Sequence, residues 1–279
     1  MPSRLQIAGG IDREALEKAR GVFRLRENRL PDNAVHALAA EVMARLERRA
    51  SVSDEVAPRD SEIGALCDAL LAVREDAAAE MVQQARLDGM SVDMIYLGYL
   101  AGAARELGKR WDEDRATSMQ LTIAAGRIYA IMRGLRQAFV LDQVLRPEQQ
   151  RAVFASTPGE NHTLGVTMAA DFCRRRGWQI DLKTGLTHQQ LVAALDHKDY
   201  PIIGLSASSQ RMIFPLARLI VALRISNPGA WIMVSGKITE LEPDILTLVD
   251  ADGVASEAEA ALEQMQAHLG VPLRAAAKN

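Results

Sequence analysis

Aromatic residues make up only 4% of this 279-residue chain, and cysteine occurs just twice, at Cys67 and Cys173. Few aromatics beside abundant alanine favour helices. The two cysteines lie in separate amphipathic segments at no metal-ligand spacing, so neither a disulfide framework nor a cysteine-held metal is expected. No apolar run approaches the roughly 20 residues that a membrane span needs. No secretory signal pattern is present either, and with two reduced thiols this predicts a soluble, cytoplasmic protein with no membrane partner. A large excess of one sign of charge is missing too: 33 Lys and Arg stand against 36 Asp and Glu. A net charge of −3 gives no global attraction to nucleic acid. No internal repeat or low-complexity tract appears.

What the chain does contain falls into three segments. Residues 1–59 form a charge-rich extension with one or two helices; Pro31-Asp32-Asn33 reads as a helix start. Interleaved acids and the lack of a helix-turn-helix pattern argue against a DNA-binding arm, so any DNA contact is expected to be indirect or weak. Ser51 to Asp60 has linker chemistry. Residues 60–146 read as a four-helix bundle. Ser61 and Ser91 are candidate caps, Gly89 is a stop, and a last helix starts at Thr117 or Ser118 and runs through Phe139.

From Arg151 the hydrophobic period changes. Strands are expected at 152–156, 178–182, 201–206, 230–234 and 245–249, with amphipathic stretches between them and a last one at 256–269. Five strands alternating with helices over 151–270 predict an α/β domain with a doubly wound, five-stranded parallel sheet of flavodoxin-like size. In such sheets ligands bind beyond the carboxyl ends of the strands. Strands one, three and four should end at the same edge, and their exit loops carry the unusual residues. These are Glu160-Asn161-His162-Thr163-Leu164-Gly165, then Ser206-Ala207-Ser208, then Ser235-Gly236. Taken singly, each has an ordinary reading: a solvent-bonded histidine, helix-capping serines, a glycine turn. Their convergence on one edge points to a site. His188, His197 and His268 read as surface or helix-end residues, and His36 belongs to the N-terminal helix.

Together, Glu-x-His-x-x-Gly, Ser-x-Ser and Ser-Gly resemble the signature of cobalamin-binding domains, Asp-x-His-x-x-Gly followed by serine and glycine motifs. The resemblance implies that His162 displaces the cofactor's own base and ligates cobalt from below. It implies that Gly165 permits close packing, that Ser206 and Ser208 contact the displaced nucleotide tail, and that Ser235 and Gly236 line its slot. Imidazole suits cobalt, and a neighbouring carboxylate fixes the ligating tautomer. Glu160 stands where the family usually has Asp, and Ser235 where it has a first glycine. The bundle then resembles the helical cap of such modules. Leu107-Gly-Lys-Arg-Trp111-Asp-Glu-Asp-Arg115 is similar to a cap stretch in which the tryptophan covers the corrin. Related photoreceptors place an upper histidine ligand shortly afterwards; Met119-Gln-Leu-Thr-Ile-Ala124 has none.

Pro158 to Gly165 together with Arg174-Arg-Arg-Gly-Trp178 is most similar to the AerR/PpaA group of purple photosynthetic bacteria. That resemblance implies a light-responsive, non-catalytic antirepressor acting on a CrtJ/PpsR-type repressor, with adenosyl- or hydroxocobalamin as cofactor. Three alternatives stay open: a corrinoid carrier subunit of a methyltransferase, a haem-binding redox or oxygen sensor, and a metal-free flavodoxin-like domain.

Overall fold

The computed structural model describes residues 10–49, 58–92, 94–135, 150–196 and 198–270. The chain divides into two compact units, Met1–Arg146 with Arg224–Gly229, and Pro147–Leu223 with Ala230–Asn279.

In the helical unit, α1 (Arg13–Arg29) starts where the Asp12 carboxylate accepts from the backbone N–H groups of Glu14 and Ala15. Helix α2 (Asp32–Arg49) buries Val35, Leu38, Ala39, Val42 and Leu46, one stripe at helical spacing. The run from residue 60 breaks into α3 (Asp60–Leu71) and α4 (Ala77–Leu87), with Ala72 turning to extended backbone between them. Arg59, rather than Ser61, is the cap of α3, its N–H donating to the Glu62 carboxylate at 2.9 Å. Ser91 Oγ accepts from Met94 N at 3.0 Å, where a π-helical turn, Met94–Leu100, leads into α5 (Ala101–Asp112). Thr117 and Gln120 cap α6 (Ser118–Gly134) reciprocally, each side chain accepting from the other's backbone N–H. The expected extension to Phe139 lies outside the described residues. Helix α1 packs along α6, and α2 against α5 and α6. Helices α1 and α2 are thus built into the helical unit.

The second unit alternates strands and helices: β1 (Arg151–Ser156), α7 (Leu164–Arg174), β2 (Gln179–Lys183), α8 (His188–Leu195), β3 (Ile202–Ser206), α9 (Ile213–Ser226), β4 (Trp231–Ser235), α10 (Ile238–Leu241), α11 (Ile245–Val249), β5 (Gly253–Ala255) and α12 (Ala258–Leu269). All pairings are parallel, in the order β2-β1-β3-β4-β5. This is the flavodoxin-like order, with a switch point between β1 and β3. Register sets two cross-strand rows on one face. Phe154, Gly204 and Met233 are level, and two residues on Ser156, Ser206 and Ser235 are level at the carboxyl edge. Gly204 is required there, because a Cβ would lie 2.8 Å from the Phe154 ring.

One expectation needs correction. Residues 245–249 are helix α11, not a strand, and the fifth strand is the three-residue β5. Ile245, Leu248 and Val249 are the buried positions, the i, i+3, i+4 pattern of a helix, and so short an apolar run cannot be assigned by periodicity. Strand β5 carries almost no side-chain signal; its Gly253 gives room to the Trp231 indole, which a Cβ would meet at 2.4 Å. His268 is exposed, as expected, and stacks on Trp231 with ring centroids 5.2 Å apart. His197 lies outside the described residues. Cys67 and Cys173 are buried, and burial pushes their thiols up to about 12 and about 11, so neither supplies a thiolate.

Candidate functional site

The loop leaving β1 is shaped before it does any chemistry. Thr157 donates from both its N–H and its hydroxyl to the Ser206 carbonyl, at 2.9 Å each, which ties the exits of β1 and β3 together. Pro158-Gly159 turns the chain, with Gly159 at φ 87°. The turn delivers Glu160 inward, only 6% exposed, and leaves the His162 side chain outermost, 83% exposed.

Glu160 organises what surrounds it. Its Oε1 accepts from the His162 N–H at 2.8 Å and lies 2.9 Å from His162 Nδ1, and its Oε2 accepts from the Ser208 N–H at 2.7 Å. Burial alone would push this carboxyl up, but the hydrogen bonds from Ser208 and His162 outweigh it and hold the group at about 2. An ionised carboxylate only accepts, so His162 Nδ1 carries the proton and Nε2 the lone pair. Among the described residues no protein group engages Nε2. The Glu160 arm makes this contact without straining the loop.

The depressed carboxyl has a pH signature. Relative to an unfolded carboxylate near 4.5, Glu160 contributes stability that is fully present above that value and is lost as pH falls through about 2. Glu160→Gln is expected to cost about 1–3 kcal/mol at neutral pH, since its amide cannot accept from Ser208 and His162 at once. In denaturant titrations the gap between the two proteins should stay level above pH 5 or so and shrink in more acidic buffer.

Beside the histidine loop lies an apolar cavity of about 310 Å³. Phe154, Gly204 and Met233 of the sheet line it, with Gly165, Met168, Ala169 and Phe172 from α7, and Ala258 and Ala261 from α12. Ser206, Ser235 and Gly236 line it from the strand ends. Gly236 has φ 92°, and a Cβ there would lie 2.6 Å from the Ala207 carbonyl oxygen. Backbone thus approaches backbone where only glycine fits.

The structure therefore brings together Glu160, His162 and Ser208 in one cluster and Gly165, Ser206, Ser235 and Gly236 along the cavity. Ser208 stands at the histidine, its Oγ 3.3 Å from Nδ1, rather than along the cavity. Asn161 is exposed and Thr163 half-buried, and neither lines the cavity. Trp111 belongs to the helical unit, 45% exposed. Sequence reasoning missed the apolar walls, although Leu164 and Met168 carried a signal. They lie four apart on α7 and are 73% and 63% exposed, apolar positions beyond the buried stripe Val166, Ala170, Cys173.

Among the described residues no group of three His, Cys, Asp or Glu could hold a metal ion. A single tautomer-fixed imidazole fits a metal whose other ligands come from a macrocycle, and the glycine-cradled cavity fits an appended flat group. An open parallel sheet with that imidazole at its switch point is compatible with a metal-centred macrocyclic cofactor.

Comparison with known proteins makes this specific. Residues 150–266 match a family described as B12 binding domain, and residues 63–136 match a second family with the same description. Two separate stretches of the chain thus match B12 binding domains, and the chain is a cobalamin-binding protein. The chain is 27% identical, over 169 residues, to an uncharacterized 20.5 kDa protein in the bchF-crtJ intergenic region of Rhodobacter capsulatus. That alignment covers 60% of this chain and 87% of the relative. Similar solved structures include a cobalamin-binding protein from Desulfitobacterium hafniense, 17% identical with a TM-score of 0.40 over 74% of this chain and 98% of that one. The monomethylamine corrinoid protein of Methanosarcina barkeri is 17% identical, with a TM-score of 0.37 over the same shares of the two chains, 74% and 98%. No helix among the described residues is long and apolar enough to cross a membrane.

Proposed function

We propose that this chain is a light-responsive, non-catalytic regulator in which His162 Nε2 ligates the cobalt of cobalamin and the loaded protein acts through a CrtJ/PpsR-type repressor. The observation that carries the ligand assignment is the His162 ring itself, fixed by Glu160 in the Nε2-ligating tautomer beside a glycine-cradled apolar cavity. Ser206, Ser235 and Gly236 receive the cofactor's nucleotide tail, and Trp111 is a further corrin contact. The cofactor would supply a photolabile bond at cobalt. This chain's residues bind and orient it, exclude water from the tail, and hold the proton on Nδ1.

The regulatory part of the reading is supported by the resemblance of Pro158–Gly165 and Arg174–Trp178 to the AerR/PpaA group, and by the bchF-crtJ location in the relative's description. A two-state response biased by the cofactor is what such a role requires. The test is capture of the repressor by the full chain, loaded with hydroxo- or adenosylcobalamin, in the dark and after blue-green illumination. A light-dependent change in capture, absent without cofactor, is expected. Equal capture in dark and light, with either cofactor and without, contradicts the regulatory reading. Methyl transfer from the loaded protein would replace it with a corrinoid carrier. Uptake of haem in place of any corrinoid would replace it with a haem sensor.

A further inference from the structure

Between α3, α4 and the π-helical turn of the helical unit lies a cavity of about 580 Å³. Every charge that lines it is negative: Glu62 comes from α3 and Asp88 from the end of α4, and no Lys, Arg or His is among the lining residues. The C-terminus of α4 adds the negative end of a helix dipole, where Gly89 at φ 96° turns the chain and the Met90 N–H donates back to the Ala85 carbonyl at 2.9 Å. Arg86, in the last turn of α4, donates to the Met90 carbonyl at 2.6 Å and does not line the cavity. One Glu62 oxygen accepts from the Arg59 N–H and one Asp88 oxygen from the Gln84 amide, so each carboxylate keeps a second oxygen that no protein group engages among the described residues. Tyr99 lines the cavity from the π-helical turn Met94–Leu100 and is only 6% exposed, yet its hydroxyl has no hydrogen-bond partner among the described residues. Burial, and then the Glu62 charge, push that phenol up, so it stays a neutral hydroxyl. Buried polar groups are ordinarily bonded, and π-helical turns occur frequently at functional sites.

We infer that this cavity is a binding site for a small primary alkylammonium ion. An ammonium group carries three donors and no acceptor. The lining answers it with the two free carboxylate oxygens and the Tyr99 hydroxyl oxygen, and with a phenol ring that itself attracts cations. Met81 and Met90 give the hydrocarbon chain an apolar wall that a bare metal ion would not use. Among the described residues no group of three metal-ligating side chains stands there either. An anion would meet negative charge alone. The site lies within the helical unit and does not rest on the cobalamin reading.

The test titrates the full chain with n-butylammonium at constant ionic strength, followed by ligand-detected nuclear magnetic resonance, with n-butanol as the neutral isostere. Saturable binding of n-butylammonium and none of n-butanol is expected. Glu62→Gln keeps the capping contact to Arg59 and Asp88→Asn the contact to Gln84, so the double variant should keep the wild-type melting temperature. Its affinity should nevertheless fall by about 10-fold or more, the usual cost of losing hydrogen bonds to charged groups. Tyr99→Phe, which keeps the ring and removes only the unbonded hydroxyl, should weaken binding by about 2–10-fold with an equal or higher melting temperature. No saturable binding of n-butylammonium overturns the proposal. An affinity unchanged in the double variant, or n-butanol bound as tightly as the cation, overturns it equally. None of these outcomes bears on His162 ligation.

Discussion

His162→Ala is expected to lower hydroxocobalamin affinity by more than about 100-fold and to abolish the histidine-ligated visible spectrum. The lower bound follows from groups that only orient a ligand, whose removal already costs about 10–100-fold in metal affinity. Removing the ligand itself must cost more. The change should leave the fold intact, because the side chain is 83% exposed and, among the described residues, its ring bonds to Glu160 and Ser208 alone. Stability should fall by about 0.5–1.5 kcal/mol, the net worth of the lost bond to Glu160, which keeps the backbone N–H groups of His162 and Ser208. Equilibrium dialysis with the spectrum recorded in parallel measures both effects. Retention of wild-type affinity and spectrum would remove His162 from the site.

Gly165→Leu should act through space rather than through the ligand. Gly165 lines the cavity, lies inside α7 without a left-handed backbone, and a Cβ there meets nothing within 4 Å. The leucine side chain therefore has room to enter the cavity without displacing protein atoms. Replacing a helical glycine should itself stabilise the chain by roughly 0.5–1 kcal/mol. The expected result is an equal or higher melting temperature with cofactor uptake largely lost, a combination that general misfolding cannot produce. Gly236→Ala should behave in the opposite way, because φ 92° and the Ala207 carbonyl penalise any Cβ whether or not cofactor is present.

The histidine loop was legible because it interrupts a change of period: β1 ends, proline and glycine turn the chain, and α7 begins within eight residues. The parallel sheet was legible for the same reason, since β1, β3 and β4 are buried apolar runs of ordinary length. The last strand was not, because Ile245–Val249 satisfies a strand and a helix equally well until its burial is known. The cavity walls were hidden for a different reason. Phe154, Gly204 and Met233 become neighbours only through strand register, and Gly165 faces Ala261 only once α7 and α12 share a sheet face. Glu160 shows the limit of motif comparison. A one-carbon departure from aspartate looked like a weakness, yet the longer arm reaches His162 Nδ1 and Ser208 N together.

The central claim, a protein imidazole on cobalt in place of the cofactor's own base, is tested most directly by electron paramagnetic resonance of the reduced, cobalamin-loaded protein. Cobalt lines are split by the nuclear spin of the axial nitrogen, into triplets for the common isotope and doublets for the heavy one. Protein grown with heavy-isotope histidine is expected to convert the triplets to doublets. The conversion should disappear in His162→Ala. Triplets that persist in the labelled protein would mean that the cofactor's own base still holds the cobalt, and would contradict the account.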